Sequence, residues 1–309
     1  MKKLVSTRNL SREEWLKYRK NGIGGSDAAA VCGLNPYSSP IKVYYDKTTD
    51  DTISYDNEAM RQGRDLEGYV AERFMEETGL KVRRANAIFY DEAYPVMLAD
   101  ADRLVVGENA GLECKTVSPY SSGQWEDGKI PIHYQIQCNH YMSVFQAEAW
   151  YIAALIFGKG FVVRKIQRDD QVIRDLRRIE MDFWENHIRK KVFPEPDGSE
   201  LSDKLILQRF GRAEKGTVLP LSGFSAKLER RDELSALISK METEKKQIEQ
   251  ELKLFLGDAE AAEGDGYRIS WKNVDTSRID SERLKREQPE IYAGFQKIIH
   301  SRRLTVKAA

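Results

Sequence analysis

The chain has 309 residues, enough for one large domain or two smaller ones with an ample core. Lys plus Arg and Asp plus Glu both total 49, which excludes a packaging protein that grips nucleic acid by its overall charge and leaves such contacts to local basic groups. Cys32, Cys114 and Cys138 are widely spaced with no CxxC, which argues against a disulfide framework and a cysteine-ligated zinc or iron–sulfur centre.

Taken in chain order, Ser11 followed by Glu14 sets a capping box for a helix over 11–20. Asn21 to Gly25 breaks it, and Ser26 and Asp27 open a fresh helix that Gly33 and Pro36 stop. A helix is predicted over 65–78, with Leu66, Val70 and Phe74 on one side and Gly79 at its end. A strand over 82–90 leads into a β-hairpin, with strands over 96–106 and 112–117 and a turn over 107–111. Pro131 opens a helix to Gln146, with Ile132, Ile136, Met142 and Val144 among its apolar positions. The run 149–157 is too short to span a membrane and reads as a buried strand, with 161–166 as its neighbour. A long helix over 169–192 follows, so the order of elements gives an α/β core with a mixed sheet. Pro194 to Ser199 opens a linker. Beyond it lies a helix over 224–256 with Leu234, Ile238, Met241, Ile248, Leu252 and Phe255 at 3–4 spacing, an antiparallel or oligomeric coiled-coil seam interrupted by Lys245. The tail holds an alternating strand over 267–272, a helix over 280–299 and a basic segment over 302–307.

The hairpin carries the chemistry. Side chains alternate along a strand, so Glu113 and Lys115 share a face, as do Asp102, Leu104 and Val106. A turn centred near Glu108 and Asn109 places Leu104 opposite Glu113 and Asp102 opposite Lys115, gathering Asp102, Glu113 and Lys115 in one patch. Two carboxylates beside an ammonium suit a hard divalent cation and a water that attacks a phosphate. Glu-x-Lys is common by chance, and Glu244 to Lys246 and Glu251 to Lys253 repeat it. Those copies lie in a helix, where i and i+2 point apart, so they cannot form the patch. The alternative for the 113–115 copy is a charged hairpin face.

Three further groups join the hairpin. Glu67 lies early in a helix, as a helix-dipole glutamate or as a carboxylate serving the patch. Gln135 and Gln137 follow Tyr134 on the next helix, either solvated or holding a water or phosphate oxygen. Arg19 and Ser26 flank a Gly-rich turn into a helix start, a geometry that favours a phosphate, although Ser26 is equally a helix cap.

In this order, Arg19, Gly24 to Ala30, Leu66-Glu67, Asp102 to Val105, Glu113-Cys114-Lys115 and Tyr134 to Gln137 resemble the YqaJ-like viral recombinase nucleases. These are phage and prophage relatives of lambda exonuclease within the PD-(D/E)XK superfamily. The match runs over about residues 10–190, and the tail, with Tyr267 to Trp271 and Pro289 to Tyr292, resembles the extension of some phage members. The resemblance implies a restriction-endonuclease-like α/β core, a mixed β-sheet flanked by helices, over 1–195, a linker over 196–223 and a C-terminal helical and β extension over 224–309. It implies that Asp102, Glu113 and the Cys114 backbone carbonyl ligate Mg²⁺ or Mn²⁺. Lys115 would steer or deprotonate the attacking water, Glu67 would support the metal site or Lys115, and Gln135, with Gln137 as the weaker candidate, would position water or phosphate. Arg19 and Ser26 occupy places that resemble the family's site for a terminal 5′-phosphate.

Two departures stand out. Ala101 replaces the proline of the superfamily name, and Asp100 stands where the lambda enzyme has a small hydroxyl residue, a charge that repels an anionic end. The implied activity is Mg²⁺-dependent exonucleolytic hydrolysis of linear double-stranded DNA, 5′ to 3′, exposing single strands for recombination. The alternatives are an endonuclease of the same fold and a non-catalytic DNA-binding or assembly subunit. Implied partners are double-stranded DNA, a single-strand annealing protein and further copies of the chain, as in a trimeric ring; the 224–256 helix would mediate dimers, dock the partner or fold back. Trp271, Tyr292, Arg302 and Arg303 are tail candidates for DNA contact or simple packing. No apolar run approaches the ~18 residues of a membrane span and Met1 to Val5 lacks a signal core, so the cytoplasm of a bacterial host is expected.

Overall fold

A hairpin that changes sheet half-way along its length organises this chain. The computed structural model describes residues 1–49, 57–297 and 301–307, and the chain divides into two compact units, Met1–Phe210 and Gly211–Ala309. In the first unit, β1 (Lys2–Ser6), α1 (Arg12–Arg19), β2 (Ile23–Gly24), α2 (Gly25–Val31), α3 (Pro40–Thr48) and α4 (Glu58–Thr78) come first. Then come β3 (Val82–Arg84), β4 (Ala87–Asp91), β5 (Tyr94–Ala99), β6 (Arg103–Val105) and β7 (Ala110–Val117). A 3-10 helix (Pro119–Trp125), α5 (Ile132–Phe145), β8 (Ala149–Ile156), β9 (Gly160–Gln167) and α6 (Asp170–Phe183) with a π-helical turn (Trp184–Arg189) follow, and α7 (Glu200–Arg209) closes the unit.

The strands form a four-stranded sheet, β1-β4-β5-β2, and a five-stranded sheet, β3-β6-β7-β8-β9. Both are mixed: β2 runs parallel to β5, and β7 parallel to β8. The strands expected over 82–90 and 96–106 are therefore each two strands. Their first and second halves pair with one another in different sheets, β3 with β6 and β4 with β5. The chain turns at Asn86, whose φ of 51° is left-handed, and again across 100–102.

Helix α5 crosses between the parallel strands β7 and β8 and is buried on nearly every side, so apolar periodicity along it is weak. It packs on β4, β5, β8, α2 and α6. On the other side of the five-stranded sheet, Val70, Ala71 and Phe74 of α4 pack on Leu112, Tyr151 and Ala153. Helix α4 starts seven residues before the expected position because Asn57 caps it through Met60 N, and it runs on to Gly79, which terminates it at φ 71°. Gly111 is required by close approach: a Cβ there would lie 2.2 Å from the buried Trp150 ring.

The segment expected to be a linker over 196–223 is a helix for part of its length. Ser199 caps α7 through Ser202 N, and Leu205 is fully buried against Ile41 and Tyr45 of α3. That packing ties residues 200–209 to the first unit.

The second unit contains α8 (Ser225–Leu256), β10 (Ala261–Gly264), β11 (Tyr267–Ser270), α9 (Ser281–Glu287) and α10 (Pro289–Gly294). β10 and β11 pair through a tight turn at Asp265 and Gly266, both with positive φ. The helix expected over 280–299 is broken because Pro289 forces Gln288 out of the helical region, to φ −139° and ψ 63°. The last residues of that expectation, 298 and 299, lie outside the described residues.

Candidate active site

The strand β7 places Glu113 and Lys115 on one face, and the side chain of Lys115 donates to Glu113 Oε1 at 2.6 Å. The hairpin register differs from the expected one by two residues: Arg103 lies opposite Leu112, and Leu104 opposite Gly111. An even slip preserves the face, so Asp102 still reaches the patch. It does so from the bend between the two sheets, where its Oδ2 accepts a hydrogen bond from Cys114 N–H at 2.8 Å. In a strand the N–H and C=O of one residue turn to the same side, so the Cys114 carbonyl faces the same gap.

Burial pushes the Asp102 carboxyl well above the usual carboxylate range, and the charges of Glu113 and Glu67 add to the effect. Glu113 is also raised, chiefly by burial, with Lys115 offsetting part of it. Burial opposes the Lys115 charge, but Glu113 outweighs it and holds the ammonium above its ordinary value. Glu113 is 3% exposed, and its Oε2 is buried without a hydrogen-bond partner. Two acids forced together and an orphaned carboxylate oxygen are what a divalent cation relieves. Among the described residues no group of three His, Cys, Asp or Glu side chains could cage a metal. The donor set that fits here is therefore two carboxylates, a main-chain oxygen and water, which suits an octahedral ion that keeps part of its hydration shell.

Helix α5 supplies the opposite wall. Gln137 Nε2 donates to Glu113 Oε1 at 2.7 Å and to Tyr141 Oη at 3.1 Å, and Gln137 Oε1 accepts from Lys115 at 3.1 Å. The Lys115 ammonium also lies 4.7 Å from the centre of the Tyr134 ring. Gln135, the preferred candidate from the sequence, is not part of this wall. Its Nε2 donates to the Ile130 carbonyl at 2.6 Å, because two residues along a helix is a rotation of about 200°. The inward glutamine is Gln137.

Glu67 comes to the rim from α4 and pairs with the buried Arg103 guanidinium, which also donates to the Asp102 carbonyl at 2.7 Å. Arg19 donates to Ser26 Oγ at 2.7 Å, and its guanidinium lies 4.7 Å from the centre of the Trp15 ring. Asp27 accepts from Gly24 N at 3.0 Å and from Lys47 at 2.7 Å, and Lys47 also donates to the Arg19 carbonyl at 2.8 Å. Burial works against the Asp27 charge, but Lys47 and Arg19 hold its carboxyl well below the usual range. Burial likewise opposes the Arg19 charge, which Asp100 and then Asp27 sustain. Asp100 also acts on Glu113, so it stands within electrostatic reach of both groups.

The two groups are adjacent because two glycines let them be. A Cβ on Gly24 would sit 2.7 Å from Arg19 Nη2, and one on Gly25 would sit 2.5 Å from the Tyr141 ring. Tyr141 in turn touches Gln137, which touches Glu113.

The YqaJ-like viral recombinase domain model matches residues 14–148. Over 98% of its length the chain is 36% identical to uncharacterized protein YqaJ of Bacillus subtilis (strain 168), and it covers 97% of that protein. The chain belongs to the YqaJ family. Among solved structures, LHK-Exo in complex with dAMP has a TM-score of 0.51 at 20% identity, over 58% of this YqaJ-family chain and 93% of that one. The alkaline exonuclease LHK-Exo from Laribacter hongkongensis has a TM-score of 0.50 at 18% identity, over 65% of this chain and all of that one. These likenesses concern the fold alone, an α/β core of mixed sheets flanked by helices.

Sequence reasoning missed Arg103, Tyr141 and the Lys47–Asp27 pair, and ranked Gln137 below Gln135. The signal for the α5 wall was present: His133, Gln137 and Tyr141 recur every four residues and share one face.

Proposed function

We propose that this chain is a divalent-metal-dependent exodeoxyribonuclease that degrades linear double-stranded DNA from 5′ to 3′ and so exposes single strands for recombination in the bacterial cytoplasm. The observation that carries this reading is the buried Glu113, with one orphaned oxygen, beside the half-buried Asp102 and next to Lys115 and Gln137. The family's description as viral recombinases and the alkaline exonuclease among its structural neighbours support it.

In this reading Asp102, Glu113 and the Cys114 carbonyl hold Mg²⁺, with Mn²⁺ as its substitute. When bound, such an ion polarises the scissile phosphate and acidifies a water at its side. Lys115, fixed by Glu113 and Gln137, donates to the attacking water or to a phosphate oxygen. Gln137 takes the positioning role that the sequence assigned to Gln135. Glu67 acts through Arg103, which grips the main chain at Asp102, and is a positioning residue. Arg19 and Ser26 receive a terminal 5′-phosphate, their mutual hydrogen bond giving way to bonds with its oxygens. The first unit is the nuclease and the second an extension; a single-strand annealing protein and a ring of copies complete the assembly.

Time courses on linear duplexes with 5′-phosphate or 5′-hydroxyl ends, labelled at one terminus, run beside a supercoiled plasmid, test this. The expected result is Mg²⁺-dependent loss of nucleotides from the 5′ end, fastest on the phosphorylated duplex, with the plasmid untouched. Nicking or linearising the plasmid would indicate an endonuclease, and no cleavage with either Mg²⁺ or Mn²⁺ would indicate a non-catalytic subunit.

A further inference from the structure

Helix α8 carries a pattern that the nuclease chemistry does not use. Leu234, Ile238, Met241, Lys245, Ile248, Leu252 and Phe255 recur at alternating steps of four and three. That is a 3.5-residue period, which keeps one narrow seam turned toward a supercoiling partner, whereas packing on a globular core asks only for a broad stripe at 3.6. The apolar members stand open: Leu234 is 42% exposed, Ile238 55%, Met241 69%, Ile248 53%, Leu252 40% and Phe255 76%.

The charges beside the seam select what can cover it. In the C-terminal half, Glu242 and Glu249 flank one side and Glu244 and Glu251 the other, while Lys240, Lys246 and Lys253 lie away from it. Such flanking positions set partner choice in coiled coils, and a lone Lys within the seam fixes register. A second copy is a poor match. Pairing it parallel and in register sets Lys245 against Lys245 and Glu244 against Glu249 of the copy. Pairing it antiparallel lays each acidic row along its own counterpart. Both arrangements place like charges in contact, which is destabilising.

We propose that α8 is a docking seam for a single helix of a different protein, one whose apolar heptad residues are flanked by Lys or Arg and which sets an acid against Lys245. This stands apart from the nuclease reading and neither needs nor tests it.

Two synthetic helical peptides serve as probes. They share the same Leu and Ile seam with a Glu placed to meet Lys245, and differ only in carrying Lys or Glu at every flanking position. Binding to the full-length chain is followed by fluorescence anisotropy at physiological ionic strength. The Lys-flanked peptide should bind at least tenfold more tightly than the Glu-flanked one, and Ile238→Asp should abolish that binding. Changing Glu242, Glu244, Glu249 and Glu251 together to Lys leaves the seam intact and should reverse the preference. Equal binding of the two peptides, or no binding of either, would overturn the proposal. So would a wild-type dimer in sedimentation equilibrium that Ile238→Asp dissolves, since the seam would then serve self-association.

Discussion

Gln137→Ala, set against Gln135→Ala, separates the two glutamines that look alike in the sequence. Gln137 makes hydrogen bonds of 2.7 Å to Glu113, 3.1 Å to Lys115 and 3.1 Å to Tyr141. Two of these involve charged groups, and each such bond is worth about 1.5–3 kcal/mol when lost. They do not simply add, because Lys115 and Glu113 keep one another at 2.6 Å. A loss of about 2–4 kcal/mol in stability follows from those terms. Lys115 would also lose one of its two side-chain hydrogen-bond restraints, and a displacement near 1 Å at a reacting centre costs about 10²-fold in rate. Gln135→Ala removes only a bond to the Ile130 carbonyl. Steady-state kinetics on an end-labelled duplex should therefore show kcat falling about 100-fold for Gln137→Ala and less than about threefold for Gln135→Ala, with thermal melting following the same order. The reverse order, or a Gln137→Ala enzyme as fast as wild type, would refute the reasoning.

Other consequences follow from the same geometry. His140 and Glu180 are both fully buried, and the two ring nitrogens face Glu180 and the Leu98 carbonyl, so the ring donates to both acceptors when it is protonated. His140→Ala should cost about 3–5 kcal/mol in a denaturant melt, because it leaves a buried charge unpaired; a double change of both residues to Leu should recover much of that loss. Burial opposes the His140 charge but Glu180 outweighs it, raising the group above 6.5. The stability it contributes is thus complete below about pH 6.5 and is lost as pH rises through the raised value, a slope that the double variant should lack. Arg19→Ala should cut the preference for 5′-phosphate over 5′-hydroxyl duplex ends by about 10- to 100-fold, the worth of a charge-assisted hydrogen bond, measured as the ratio of kcat/KM for the two ends. Gly25→Ala should lower stability by about 1–3 kcal/mol through overpacking against Tyr141; a melting temperature equal to wild type would count against that contact.

The face that gathers Asp102, Glu113 and Lys115 is legible in the sequence because strand parity survives errors of two. The turn lies one residue earlier than the pattern predicts, so Arg103 pairs with Leu112 where the expectation sets Asp102 opposite Lys115, yet Asp102, Glu113 and Lys115 still meet. What parity could not reveal was the bend. Residues 82–90 and 96–106 carry continuous strand-like patterns, and only Asn86 and the acids at 100 and 102 mark where both change sheet. The resemblance puts Gln135 ahead of Gln137, and because α5 is buried on nearly every side its apolar pattern does not correct that order; only the four-residue recurrence of His133, Gln137 and Tyr141 points to the inward face. Arg103 was hidden as a charged residue in an apolar strand, and its partner Glu67 is 36 positions away. The helix over 200–209 was lost in a polar stretch, since Leu205 gains its burial only from α3.

Binding of Mn²⁺ to the protein without DNA, followed by electron paramagnetic resonance, bears most directly on the Asp102 and Glu113 pair. Wild type should bind the ion, and both Asp102→Asn and Glu113→Gln should lose that binding while Gln135→Ala retains it. Undiminished binding in the two carboxylate variants would contradict the proposed metal site.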